Sequence, residues 1–285
     1  MPPKLDAILR AVKVSTMMNL SSKYKLPLLL IFLASLVLLV IFSNISYETR
    51  VAKTSPFPVQ CLEGWAHRGY VKAEEGYVEN TLASYEKAIE LGAAGIELDV
   101  IYDVTLNEFV VSHDEPYHVG KDGKWLLLKD AFARLPHVNI WLDAKNLSGL
   151  WPWQAEKATA RLRELITDAG RKDQVLIESR NPWYLGDLAE VGFRTTLMIS
   201  PNPKASGISM WTVILASKFS YSLSGFSGIS MSYHRYHVEV SDSFSEAPVY
   251  LSTINSPPQV EKFKRLPQVK VFLTDNAALY GQHCL

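Results

Sequence analysis

The chain has 285 residues, 48% of them apolar, and 29 basic side chains balance 29 acidic ones. That length suits one large domain with a sizeable core. The balanced charge offers no basic face of the kind that nucleic acid requires, so no nucleic-acid partner is expected.

From the N-terminus, the first element is apolar. Leu26 to Phe42 carries no charge, and the run extends to Ile45 at modest polar cost. About twenty residues rising ~1.5 Å each span the ~30 Å core of a bilayer. Lys4, Arg10, Lys13, Lys23 and Lys25 precede it, against Asp6 alone. The positive-inside rule makes residues 1–25 a cytoplasmic basic segment and 26–45 a single transmembrane anchor. Everything beyond is sent to the periplasmic, extracellular or lumenal side. A cleaved signal peptide is the alternative, but its basic region is usually far shorter. Ser43, Asn44, Ile45 and Ser46 also form no clear small-x-small cleavage site. Residues 46–60, polar and proline-bearing, read as a linker.

From residue 61 to 285, short β-like runs alternate with helical segments, the pattern of βα units around a parallel sheet. Eight runs qualify as strands: Gly64–His67, Gly95–Val100, Val138–Lys145, Val175–Ser179, Thr195–Ile199, Gly228–Tyr233, Val249–Ile254 and Val269–Thr274. Helices are expected over Asn80–Gly92, with Asn80 as its cap, over Ala155–Ala169, and over Gln259–Arg265. Glu108–Ser112 follows the second strand too closely for a parallel crossover, so it reads as the return arm of a β-hairpin. Eight strands and one hairpin fit a closed (β/α)8 barrel. An open doubly wound sheet is the other arrangement considered, but no glycine-rich dinucleotide loop follows the first strand. Cys61 and Cys284 bracket this region. The ends of a closed barrel can approach, so the two cysteines either pair on the exported side or remain free thiols.

Polar groups at the strand ends carry the chemistry. Ile96-Glu97-Leu98-Asp99-Val100 alternates, so Glu97 and Asp99 share the face opposite the three apolar residues and point into the barrel. In the next strand Trp141, Asp143 and Lys145 share one face. Buried carboxylates cost several kcal/mol each unless compensated. A divalent cation held by Glu97, Asp99 and Asp143 resolves the conflict, and hard oxygen ligands suit Mg²⁺ or Ca²⁺ better than zinc. An Asp99–Lys145 or Asp143–Lys145 ion pair without metal is the competing explanation. His67 ends the first strand and His113 ends the hairpin's return arm. A pair of imidazoles suits in-line displacement at phosphorus, one taking a proton from the attacking oxygen and one protonating the leaving oxygen. Arg68 can grip phosphate oxygens bidentately.

These residues give a family resemblance. The chain resembles the glycerophosphodiester phosphodiesterases through His67-Arg68-Gly69, Glu79-Asn80-Thr81, Glu97-Leu98-Asp99, His113-Asp114, Asp143-Ala144-Lys145, Thr253-Ile254-Asn255 and Thr274-Asp275. The resemblance implies a TIM barrel with its site at the C-terminal strand ends. It makes Glu97, Asp99 and Asp143 the metal ligands, His67 and His113 the acid/base pair, and Arg68 and Lys145 the phosphate-binding groups, with Glu79 in support. It further implies hydrolysis of a glycerophosphodiester to glycerol 3-phosphate and an alcohol.

Two departures bear on the substrate. Asp143 stands where the family usually has Glu, and about twenty-two residues separate Asp114 from His137 where typical members carry a long capping insertion. The pocket should therefore be more open and, with the anchor, suggests a lipid-like substrate. Lysophospholipase D or sphingomyelinase D-type action on membrane lipids is one alternative, and a non-catalytic phosphodiester-binding barrel is another. Met210–Leu215 reads either as a lip dipping into lipid or as a helix packing on the barrel. His234 and His237 read as a polar loop.

Overall fold

The computed structural model describes residues 22–51, 57–120, 123–202, 204, 206–236 and 238–285. Tyr47–Leu285 forms one compact unit. Its strands are β1 (Leu62–Ala66), β2 (Gly95–Asp103), β3 (Glu108–Val111), β4 (Asn139–Ala144), β5 (Val175–Ser179), β6 (Arg194–Met198), β7 (Gly228–Ser232), β8 (Val249–Ser252), β9 (Val269–Thr274) and β10 (Gly281–His283). Eight of them run parallel in the order β1-β9-β8-β7-β6-β5-β4-β2, and β1 pairs with β2 to close the barrel. Antiparallel β3 extends β2 as the expected hairpin, and β10 lies antiparallel on the outer part of β1. Cys61 and Cys284 are joined in a disulfide beside that last pairing.

The helices are α1 (Ser22–Val51), α2 (Leu82–Glu90), α3 (Leu128–Arg134), α4 (Pro152–Asp168), α5 (Pro182–Glu190), α6 (Ile208–Ser224), α7 (Val238–Ser243) and α8 (Pro257–Phe263). α1 is long and apolar enough to cross a membrane. It continues past Ile45 to Val51, so the first residues of the expected linker are helical. No proline or glycine interrupts residues 46–51, and the Tyr47 ring packs edge-on against Tyr221 and Phe244. Met210–Leu215 belongs to α6, with Met210 buried in the core, so that segment is a helix packed on the barrel.

Period-two alternation divides the strand side chains between two cores. Ile96, Leu98, Val100, Leu142 and Ile177 face outward into the layer shared with the helices. Phe57, Trp65, Trp141, Leu176, Tyr250, Val271 and Leu273 fill the barrel itself. Inside it, Trp65 meets Phe57 edge-on at 5.1 Å, and Trp141 meets Tyr250 at 5.7 Å. Gly95 permits this plug, because a Cβ there would lie 2.3 Å from the Trp65 ring. The polar residues of the same inward faces stack above the plug, toward the C-terminal strand ends.

Candidate active site

Strand register assembles the carboxylates. Asp99 pairs across the sheet with Asp143, and Asp143 with Glu178, while Glu97 lies one inward position below Asp99. Glu97, Asp99 and Asp143 each offer an oxygen within 4.8 Å of the others, and all three are buried. Burial, reinforced by the Asp99 and Asp143 charges, pushes the Glu97 carboxyl well above its usual range. Burial also raises Asp143, although Lys145 opposes it. Two cations answer the cluster. Lys145 Nζ lies 2.7 Å from Asp99 Oδ1 and also contacts Asp143, and Arg68 Nε lies 2.9 Å from Asp99 Oδ2. Both ion pairs weighed as an alternative to metal are therefore present. They leave a deficit of positive charge, because Arg68 is shared with Glu79 through a 2.9 Å hydrogen bond from Nη1. Asp99 is fully buried, and Lys145 is the contact of its Oδ1.

The Arg68 backbone is left-handed, with φ of 58°, a conformation uncommon for any residue but glycine. Its surroundings hold it there. The Arg68 amide donates to Glu97 Oε2 at 3.2 Å, and its carbonyl accepts from the Asn80 amide at 3.0 Å. Gly69 follows with φ of 86°, and a Cβ there would strike Ser84. Burial works against the Arg68 charge, but Asp99 and Glu79 overcome it and raise its pKa.

Asn80 is not the helix cap expected of it. Thr81 caps α2 in a reciprocal box with Ser84, while Asn80 sits at φ 56° with its side chain turned into the barrel. It donates to Asp99 Oδ2 at 2.9 Å, and its Oδ1 accepts from the Asp99 amide and the Tyr85 hydroxyl. Asx residues suit both caps and inward polar contacts, and the backbone conformation decides between them.

Each imidazole is tethered through Nδ1, leaving Nε2 free of that tether. His67 Nδ1 lies 2.7 Å from Asp275 Oδ1, and its Nε2 lies 3.6 Å from Glu97. His113 Nδ1 lies 2.7 Å from Asp114. Asp275 is itself fixed by Asn255, which donates from Nδ2 to its second oxygen at 2.7 Å and accepts its amide at 2.8 Å. Burial works to raise the Asp275 pKa, but hydrogen bonds from His67 and Asn255 lower it overall. Asn255, Asp275 and Glu178 had no role in the sequence reading. Of these, only the first two lay within its motifs. Glu178 lies buried beside Asp143, and burial, then the Asp143 charge, raises its carboxyl well above the usual range. His234 instead packs on Tyr233 in a short turn, and His237 falls outside the described residues.

The model of the glycerophosphoryl diester phosphodiesterase family matches residues 67–124, the segment that carries His67, Arg68, Glu79, Glu97, Asp99 and His113. Over that segment the chain is similar to that family. No curated protein sequence matches the chain. Solved structures share the fold. A glycerophosphodiester phosphodiesterase from Parabacteroides distasonis is 20% identical, covering 75% of this chain and 92% of its own, with a TM-score of 0.58. The Thermotoga maritima enzyme is 22% identical over 76% of this chain and 96% of its own, with a TM-score of 0.58. An Oleispira antarctica phosphodiesterase, solved with the product sn-glycerol-3-phosphate, is 19% identical over 75% and 93%, with a TM-score of 0.56.

Proposed function

We propose that this barrel hydrolyses glycerophosphodiesters to glycerol 3-phosphate and an alcohol, at a divalent-cation site held by Glu97, Asp99 and Asp143. The observation that carries the reading is the surplus of buried negative charge at the C-terminal strand ends, placed between two tethered imidazoles. The similar Oleispira antarctica structure, which holds sn-glycerol-3-phosphate, supports the product. The donor set fits a hard cation, because all three ligands are buried carboxylates whose oxygens converge within 4.8 Å. Bound there, Mg²⁺ or Ca²⁺ would supply the positive charge that a phosphodiester transition state demands.

The chain's own residues do the rest. Arg68 and Lys145, with 20% and 23% of their side chains exposed, can orient phosphate oxygens from opposite sides of the carboxylates. Asp275 and Asp114 accept from Nδ1 of His67 and His113, which leaves Nε2 of each ring as the proton-exchanging atom. One imidazole takes the proton of the attacking oxygen as the new P–O bond forms. The other protonates the alcohol oxygen as the old bond breaks. Glu79 braces Arg68.

The same reading places α1 across a membrane, with the basic segment 1–25 cytoplasmic and the barrel on the far side. The Cys61–Cys284 disulfide supports an oxidising compartment. The deciding test is release of glycerol 3-phosphate from glycerophosphocholine by the full chain with Mg²⁺, Ca²⁺ or EDTA. Release that needs the cation and is lost in His67→Ala is expected. Release unaffected by EDTA would remove the metal site.

A further inference from the structure

The mouth of the barrel is chemically lopsided. Three successive βα connections, after β4, β5 and β6, are neighbours because those strands are neighbours. Residues 145–155, 180–185 and 199–211 include no Asp or Glu, but do include Lys145, Arg180 and Lys204. They also hold most of the large apolar side chains exposed on the barrel's mouth: Trp151 at 64%, Trp153 at 59%, Trp183 at 62%, Ile208 at 83% and Trp211 at 44%. Trp151 and Trp153 stack face to face at 5.3 Å, and Trp183 sits in the first turn of α5. The connections after β1 and after the hairpin differ, carrying Glu74, Glu75, Glu79, Asp114 and Glu115 beside Arg68, Lys72 and Lys124.

An exposed cluster of tryptophans in a monomeric surface marks an interaction site. Tryptophan favours the boundary between water and hydrocarbon, and lysine and arginine beside it favour anionic head groups. One further contact agrees. Within the barrel unit Tyr47 packs on Tyr221 and lies under Lys218, whereas Arg50 lies against Gly225. The turn Tyr47–Val51 therefore runs parallel to α6, which leads away from the tryptophan rim.

We propose that the rim formed by Trp151, Trp153, Trp183, Ile208 and Trp211, with Arg180 and Lys204, docks on an anionic lipid–water interface and presents the catalytic mouth to phosphodiesters bearing acyl chains. This rests on the phosphodiesterase reading for its substrate and on the anchored helix for its setting, but its readout is independent of turnover. The chain has seven tryptophans, α1 contains none, and Trp65 and Trp141 are buried inside the barrel. Lipids brominated on their acyl chains quench tryptophans that reach the hydrocarbon. In the full chain reconstituted into brominated phosphatidylcholine–phosphatidylglycerol vesicles, partial quenching is expected. It should weaken at high salt and in Arg180→Gln/Lys204→Gln, which retains every tryptophan. In Trp151→Ser/Trp153→Ser/Trp183→Ser/Trp211→Ser it should disappear. That variant should also lose about tenfold in turnover of vesicle-borne lysophospholipid while hydrolysing soluble glycerophosphocholine at the original rate. Absence of quenching in the unaltered chain, or quenching that survives in the serine variant, overturns the docking surface. Quenching without turnover of any substrate leaves the surface standing and removes the activity instead.

Discussion

The two ends of the barrel interior are built from the same alternating strands to opposite designs. At the N-terminal end Phe57, Trp65, Trp141, Leu176 and Tyr250, four of them aromatic, close the barrel with large apolar side chains. At the C-terminal end Glu97, Asp99, Asp143 and Glu178 crowd charge where burial penalises it, beside the left-handed backbone of Arg68. β4 contains both in two residues, since Trp141 belongs to the plug and Asp143 to the mouth. The comparison teaches that stability and chemistry are separated along the barrel axis: the plug stabilises a frame stiff enough to hold the mouth in a state that the mouth alone would not adopt.

The largest effect should come from breaking the mouth without touching the plug. Glu97→Gln keeps shape but removes a carboxylate that a bound cation would need. Turnover should fall about 10³-fold, since groups acting as one unit fail together. Thermal stability should hold or rise, because the carboxyl being removed is one that burial and like charges disfavour. Initial rates and a melting curve on the same preparation check both halves. A variant that loses stability in proportion to activity would refute the separation.

Trp141→Ala applies the reverse cut. A fully buried tryptophan truncated to alanine costs about 3–5 kcal/mol, and Trp141 is 1% exposed. A large fall in denaturation midpoint is expected, read by chemical denaturation, with kcat per folded molecule changed far less than in Glu97→Gln.

The plug and the mouth were unequally legible in sequence. Strand positions followed from short apolar runs between turn signals, and the inward set on β2 from the strict alternation of residues 96–100. Both are local patterns. Asn80 misled because capping and inward hydrogen bonding use the same side chain, and only its φ of 56° separates them. Asp275 reaches His67 across 208 positions of chain, so no local period could reveal the tether. Glu178 hides in Val175-Leu176-Ile177-Glu178-Ser179, which reads as a plain apolar strand until the register sets it beside Asp143. β10 escaped because Gly281, Gln282 and His283 carry no strand signal of their own; pairing with β1 next to the disulfide holds them.

A smaller effect tests whether the mouth depends on orientation as well as charge. Asp275→Asn keeps a side chain of the same shape but can present an amide N–H to His67 Nδ1, and it also disturbs the bond from Asn255. Losing a partner that orients a functional histidine costs about 10–100-fold. The loss should fall in kcat rather than KM, because the ring is misoriented while the phosphate-binding groups are untouched. An effect confined to stability would make Asp275 a structural brace.

The smallest expected change lies on the border between the two regions. Glu178 stands two residues beyond Leu176 of the plug and next to Asp143 of the mouth, but it is not one of the three carboxylates whose oxygens converge. Burial and the Asp143 charge both favour its neutral form, and a neutral glutamate resembles glutamine in shape and hydrogen bonding. Glu178→Gln should therefore keep turnover within about tenfold of the original, a barrier change under ~1.4 kcal/mol. Its cation requirement should also stay unchanged, measured by titrating Mg²⁺ or Ca²⁺ into EDTA-treated enzyme. A weakened cation response as large as that of Glu97→Gln would move the border one strand further, and make the charged mouth a four-carboxylate site.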